Sequence, residues 1–244
     1  MKQIIMFPLI LISSFLFMGN GCGLRTYYQL IAYDSPTPIV FEVKMDSVRT
    51  NAFAGIDYMY MNGYHENEKI NIVRLNYQTT NTGKFNLSNF SLQAFYGTYF
   101  VKGIDGKYTS DSVYDGIKSG YGARVSYTGG LNFNIKGFRL GIGIEPSVNF
   151  DFGEYYHFRT NAARERVIES NADFIKLNLN IIPYVSIPVS ENSLINMQMN
   201  VGIPGFISPI ISLQIDNQIF WTGYNENRMN FGLMVNFDTI RSNF

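Results

Sequence analysis

Apolar and polar residues alternate along most of the chain beyond residue 48, with the period of two that is typical of β-strands. The clearest case is 121–135, where the odd positions are apolar except for one glycine and the even positions are polar or glycine. After Lys136-Gly137 the apolar residues change to the even positions and keep them through 138–152. A two-residue connection of this kind predicts a β-hairpin whose apolar side chains all lie on one face of the sheet.

The same alternation predicts about eight antiparallel strands between residues 49 and 244. Their predicted ranges, in chain order, are 49–61, 69–79, 84–102, 120–135, 138–158, 173–187, 193–221 and 228–240. The seventh is either one bent strand or two strands, because Gly202-Ile203-Pro204-Gly205 and Pro209 interrupt it. Most of these ranges reach or exceed the ~9–11 residues with which a tilted strand crosses a bilayer. The predicted fold is therefore all-β, an antiparallel up-and-down transmembrane β-barrel.

The predicted connections differ in length between the two ends of this barrel. Short connections meet at one end, called here the turn end, at 80–83, 136–137 and 188–192. Longer connections meet at the other end, the loop end, at 62–68, 103–119, 159–172 and 222–227. Short turns, long loops and an even number of strands are typical of outer-membrane barrels. This arrangement places both chain ends at the turn end, which would face the periplasm.

The polar face of the sheet indicates which side faces inward. It consists mainly of Asn, Gly, Ser, Thr and Gln with few charges, which favours an enclosed lumen over a solvated surface. Buried charges need partners, and eight strands enclose a lumen that side chains can fill. We therefore predict that Leu140, Ile142 and Ile144 face lipid and that paired charges plug the lumen. Four residues of each sign form this predicted network: Asp57, Arg74, Arg124, Arg139, Glu145, Asp151, Lys176 and Asp238.

The first 21 residues have the composition of a secretory signal peptide. Lys2 precedes an apolar run over 4–18, and small residues follow at 19–21. The run is shorter than the ~20 residues that a spanning helix needs. Cys22 comes next and is the only cysteine, so a disulfide within one molecule is excluded.

A cysteine directly after a signal peptide, with Gly21 before it, resembles the lipobox of bacterial lipoproteins. The resemblance implies that Cys22 becomes the acylated N-terminus of the mature protein. Gly19 stands where that family usually has Leu, and the alternative is an ordinary cleaved signal peptide with an incidental cysteine. Residues 22–48 are then predicted to be a tether on the turn side of the barrel, with the lipid in the inner leaflet.

Composition and motifs exclude several kinds of chemistry. The 19 basic and 19 acidic residues balance, which does not favour nucleic acid as a partner. The two histidines show no nucleophile pattern, and no cluster has metal-ligand spacing. We therefore expect no enzyme activity, no metal and no cofactor. A charged loop over 161–171 with Arg159 before it is predicted to be solvated, or to meet lipopolysaccharide phosphates or a partner protein.

In overall pattern the region 49–244 resembles the small eight-stranded outer-membrane proteins, and Phe244 is similar to their terminal aromatic residue. The resemblance implies an outer-membrane location with surface-exposed loops. A plugged barrel without catalytic groups is expected to be a structural or accessory subunit. Its partners would be membrane lipid and another outer-membrane protein, to which Met197 and Met199 could adapt. The alternatives are a lipocalin-like barrel that binds an apolar ligand, and a narrow pore.

Overall fold

The computed structural model describes residues 24–30, 37–41, 49–107, 113–135, 137–170, 173–203, 206–225 and 228–237. In this part of the chain, ten strands form one closed antiparallel barrel, which confirms the predicted all-β up-and-down fold. In chain order the elements are β1 (Thr26–Tyr27), β2 (Arg49–Asn62), β3 (Lys69–Thr82), β4 (Asn86–Val101), β5 (Gly116–Ile135), β6 (Phe138–Phe152), α1 (Glu154–Arg164), β7 (Glu169–Ser170), β8 (Ile175–Ser190), β9 (Ser193–Ile203), β10 (Phe206–Ile215), β11 (Gln218–Asn225) and β12 (Arg228–Asn236). Each barrel strand pairs with the next one along the chain, and β12 pairs back to β2.

The strand count corrects the sequence prediction, because the barrel has ten strands and not about eight. The predicted seventh strand over 193–221 contains all of β9 and β10 and the start of β11. A two-residue turn at Asp216-Asn217 separates β10 from β11, and Asp216 adopts the left-handed conformation with φ 50° that such turns require. The count remains even, and the three long connections, after β2, β4 and β6, all lie at the loop end. The prediction of a long connection over 222–227 is wrong, because β11 extends to Asn225 and only two residues separate it from β12.

The two faces of the barrel differ in polarity in the direction that the alternation predicts. On β6, Leu140, Ile142 and Ile144 point outward, whereas Arg139 and Glu145 are almost fully buried inside. The same contrast holds around the barrel. Other exposed outward residues include Leu75, Tyr96, Tyr127, Phe133, Leu177, Ile211 and Phe231, and buried inward ones include Asn76, Gln93, Ser126, Asn149, Asn180, Asn200 and Asn230.

The loop end carries a small cap. The predicted strand over 138–158 stops at Phe152, because Gly153 has φ 101° and α1 begins directly after it. Glu154 places a negative charge in the first turn of α1, where the helix dipole favours it. Beside α1, the short strands β1 and β7 pair in parallel. Within the described residues, no helix has the length and apolar character needed to cross a membrane.

Candidate functional site: the plugged lumen

Two described stretches of the segment that precedes β2 pack against lumen-facing residues of the barrel wall. These stretches, 24–30 and 37–41, are called the plug here. The first part of the plug lies at the loop end, where the backbone N–H of Leu30 donates to Asp151 Oδ2 at 3.3 Å. The sequence prediction of a tether on the turn side differs from this placement, because 24–30 lie at the opposite end of the barrel.

The second part of the plug begins in the middle of the lumen. Gln78 on β3 and Gln93 on β4 both donate side-chain hydrogen bonds to the hydroxyl of Thr37. All three side chains are buried. The plug is therefore held by polar groups from the barrel wall at this height.

From there the plug continues toward the turn end. The backbone N–H of Ile39 donates to Gln198 Oε1 at 2.7 Å, and Asn196 Nδ2 donates to the Ile39 carbonyl at 3.3 Å. The ring of Phe41 packs on Tyr184 with 4.8 Å between centroids. Asn196 is only four residues into β9, which starts at the turn end, so successive plug residues descend the lumen.

Apolar side chains of the plug take part in all three buried apolar clusters of the described structure. Near the loop end, Tyr27 and Leu30 pack with lumen-facing residues such as Met59, Ile70 and Ile72. Nearer the turn end, Ile39 and Phe41 pack with Leu87, Ile182, Tyr184 and Leu194. The third cluster joins Val40 to Phe53, Ile210, Ile219, Trp221 and Met234. The buried core is thus formed between the plug and the wall.

The width of the barrel and two glycines make room for the plug. Because barrel diameter grows roughly linearly with strand number, ten strands enclose a lumen about a quarter wider than eight would. A Cβ atom at Gly97 or Gly120 would lie 3.2 or 3.1 Å from Leu30 Cδ2, which is tighter than usual packing. Glycine at these two wall positions therefore lets Leu30 approach the strand backbone.

The predicted charge network is divided into local pairs. Arg74 Nε donates to Asp57 Oδ1 at 2.7 Å across the β2–β3 ladder, and Asn76 donates to the other oxygen. Arg124 Nη2 donates to Glu145 Oε1 at 2.6 Å. All of these side chains are buried, so each pair neutralises charges that could not otherwise be tolerated in the lumen.

The carboxylate of Glu145 is at the centre of the best-connected pair. Besides Arg124, it accepts hydrogen bonds from Thr128 Oγ1 and Asn180 Nδ2, each at 3.0 Å. Three different strands, β5, β6 and β8, thereby contribute to one site. Such a carboxylate fixes neighbouring strands in register as well as balancing charge.

Asp151 has a partner that strand alternation did not predict. Arg159 on α1 is fully buried, and its Nη2 donates to Asp151 Oδ2 at 2.8 Å. The expectation that Arg159 meets solvent, lipopolysaccharide or a partner is therefore wrong. The two other predicted cations face plug rings: Arg139 lies 5.4 Å from the Phe41 centroid and Lys176 lies 5.7 Å from that of Tyr28.

A second polar cluster fastens the plug at the loop end. The hydroxyls of Tyr27 and Tyr99 donate to Glu68 Oε1 and Oε2, each at 2.5 Å. Arg25 Nη1 lies 3.6 Å from the same carboxylate and donates to the Lys102 carbonyl at 2.5 Å. Burial raises the pKa of Tyr27, and the Glu68 carboxylate raises it further. The Tyr27 hydroxyl therefore remains a hydrogen-bond donor.

His65 packs against one side of this cluster. Its ring stands edge-on to Tyr27 at 4.8 Å, and Nε2 lies 3.1 Å from the Thr26 carbonyl, which can only accept. Burial lowers the pKa of His65, against the opposing effect of Glu68. The neutral ring is thus a structural donor to the plug.

Two predicted site residues lie outside the described part of the chain, and the structure adds the plug, which the sequence did not suggest. Cys22 and Asp238 lie outside the described residues, as does the predicted signal peptide over 1–21. The sequence prediction missed the plug, because it assigned 37–41 to the tether. A signal was available in the run Ile39-Val40-Phe41, which is too apolar for a solvated linker.

Comparison with known proteins identifies no family. No family model and no curated protein matches the chain. The crystal structure of Neisserial surface protein A (NspA) matches with a TM-score of 0.33 and 9% identity over 77% of this chain and 97% of that one. The translocator domain of the autotransporter NalP from Neisseria meningitidis matches with a TM-score of 0.38 and 11% identity over 77% of this chain and 86% of that one. Similarity this low carries no conclusion about function.

Proposed function

We propose that this chain is an outer-membrane β-barrel lipoprotein that is closed by its own N-terminal segment. In this proposal it acts as a non-catalytic structural or accessory subunit beside another membrane protein. One observation carries the membrane location: large apolar side chains cover the outside of a closed barrel while amides and paired charges fill the inside. If such a barrel were surrounded by water, it would expose an apolar surface far larger than that of soluble monomers.

The lumen supports a closed barrel rather than a pore or a ligand carrier. An apolar ligand needs an apolar cavity, whereas the plug occupies the described lumen and amide side chains surround it. Conduction would need a continuous water path, and the plug contacts the wall at the loop end, the middle and the turn end. The lipid on Cys22 is part of the proposal because this cysteine directly follows the signal-peptide pattern of residues 1–21.

The membrane location can be tested with one outward and one control substitution. Ile142→Arg places a cation in the outer belt and should lower the free energy of unfolding in lipid vesicles by about 2–4 kcal/mol. Lys84→Arg, at the turn end, serves as the control and should change it little. Native cells should retain the protein in the membrane after alkaline carbonate extraction. Release by carbonate without detergent would refute the membrane proposal and favour a soluble barrel.

A groove in the outer belt supports an accessory role. It encloses about 430 Å³ between β8, β9 and β10, and its outward lining includes Pro183, Met197, Met199 and Pro209. The two prolines cannot donate to the barrel ladder, and pairing of β8 with β9 is interrupted beside Pro183. Flexible methionine side chains suit the apolar face of a second membrane protein.

The partner can be sought by photo-cross-linking at two matched belt positions in native membranes. A cross-linking amino acid at Met199 should give a defined protein adduct, whereas the same group at Leu75, on β3 across the barrel, should not. Adducts with lipid alone at both positions would contradict the accessory role. Conductance steps from the reconstituted chain would replace that role with a pore.

A further inference from the structure

We infer that the chain preceding Leu24 leaves the barrel at the loop end, so that an acyl group on Cys22 would enter the lipid leaflet beside the long loops. This inference rests on the proposed membrane location and anchor. It places the anchor in the leaflet opposite to the one expected for a tether on the turn side.

The first step is the position of the plug's beginning. The N–H of Glu169 donates to the Arg25 carbonyl at 2.8 Å, and Thr26 and Tyr27 pair with Glu169 and Ser170. These partners lie in the connection between β6 and β8, at the loop end. Arg25 also donates to the Lys102 carbonyl, just beyond the loop end of β4.

The second step is the position of the first barrel strand. Arg49 pairs with Thr82, so β2 begins at the turn end beside the connection between β3 and β4. Every barrel strand is hydrogen-bonded to a neighbour on both sides, and the pairing of β8 with β9 resumes on either side of the interruption beside Pro183. The described part of the wall therefore leaves no passage for the chain between neighbouring strands. With 24–30 at the loop end, 37–41 inside and β2 starting at the turn end, the described residues are ordered along the lumen from the loop end to the turn end.

The third step compares the reach of the chain with the height of the barrel. β3 has 14 residues, which corresponds to about 45 Å along the strand and about 35 Å along the axis of a barrel tilted by ~40°. Cys22 precedes Leu24 by two residues, which span about 7 Å at most. An anchor at Cys22 therefore cannot reach the turn side unless the plug is withdrawn.

Epitope insertions in the full chain test the exit side in intact cells. One variant carries a tag after Gly23, and two controls carry it after Gly106 at the loop end and after Asp216 at the turn end. If the loop end faces the cell exterior, antibody should bind the Gly23 and Gly106 tags on intact cells and the Asp216 tag only after permeabilisation. If the loop end faces the periplasm, the pattern is reversed, and the Gly23 tag should still behave like the Gly106 tag. A Gly23 tag that follows the Asp216 tag would overturn the inference.

A cross-linking measurement on purified protein keeps this result separate from failure of the membrane proposal. In a Cys22→Ser background, Thr37→Cys with Gln78→Cys should be joined by a short bifunctional thiol reagent and migrate faster in a denaturing gel. Thr37→Cys with Leu75→Cys is the matched control, because Leu75 faces outward on the same strand. Cross-linking of the control pair alone would refute threading, whether or not the protein is bound to a membrane.

Discussion

Neutralising Glu145 should destabilise the barrel strongly, and removing its partner as well should restore much of the loss. Glu145→Gln keeps the shape of the side chain but removes the carboxylate that pairs with Arg124, a cation that is only 1% exposed. Breaking a buried pair in this way costs about 3–5 kcal/mol. In the double variant Arg124→Gln, Glu145→Gln no charge remains, and the cost should fall to about 1–3 kcal/mol for imperfectly paired amides.

Denaturant unfolding in lipid vesicles can measure this cycle. Trp221 is the only tryptophan, lies in the lumen against the plug and reports the transition by its fluorescence. Glu66→Gln, on the exposed loop, should stay within about 0.5 kcal/mol of the parent chain. If the two single costs simply add in the double variant, the ion pair does not contribute the coupling that its 2.6 Å distance indicates.

Two further predictions concern the fastening of the plug at the loop end. Glu68→Ala leaves two buried tyrosine hydroxyls without their acceptor, which should lower the free energy of unfolding by about 2–6 kcal/mol and speed amide exchange over 24–30. Glu66→Ala is the control. Equal exchange rates in both variants would contradict the fastening role. Because burial holds the pKa of His65 below its ordinary 6.5, the unfolded chain binds a proton below that pH that the folded chain excludes. The contribution of neutral His65 to the free energy of unfolding is therefore fully present above pH 6.5 and is lost on acidification. His65→Asn should flatten this part of a profile of unfolding free energy against pH. An unchanged slope would refute the assignment of this loss to His65.

The alternation predicted the barrel but undercounted its strands for a physical reason. Between β9 and β11, the outward apolar positions are odd through Ile215 and even from Phe220, so a change of face at Asp216-Asn217 is present in the sequence. Ile210, Ile219 and Trp221 obscure it, because these apolar residues face the lumen and pack against Val40 of the plug. The alternation is therefore weakest at the wall positions that contact another part of the chain.

The candidate site divides in the same way between what alternation can and cannot predict. The parity of strands places Asp57 and Arg74 on one face, and the β2–β3 register then sets them opposite each other. Arg159 pairs with Asp151 from a helix that starts two residues after β6, where strand parity no longer applies. Only the three-dimensional path of the loop reveals that this cation turns back into the lumen.

The lumen contains both amide and apolar side chains because the plug needs hydrogen-bond partners for its backbone and apolar partners for its side chains. Residues 37–41 form no strand, so their backbone groups have no ladder to join and require side-chain partners. An amide side chain can donate and accept at once, and Gln198 and Asn196 use this on the two backbone groups of Ile39. The apolar plug side chains need apolar wall positions, which accounts for the lumen-facing Ile, Leu, Met and Trp residues. A barrel sequence that combines an amide-rich face with scattered apolar residues on that same face therefore predicts an internal segment, and here Ile39-Val40-Phe41 is the segment that matches both.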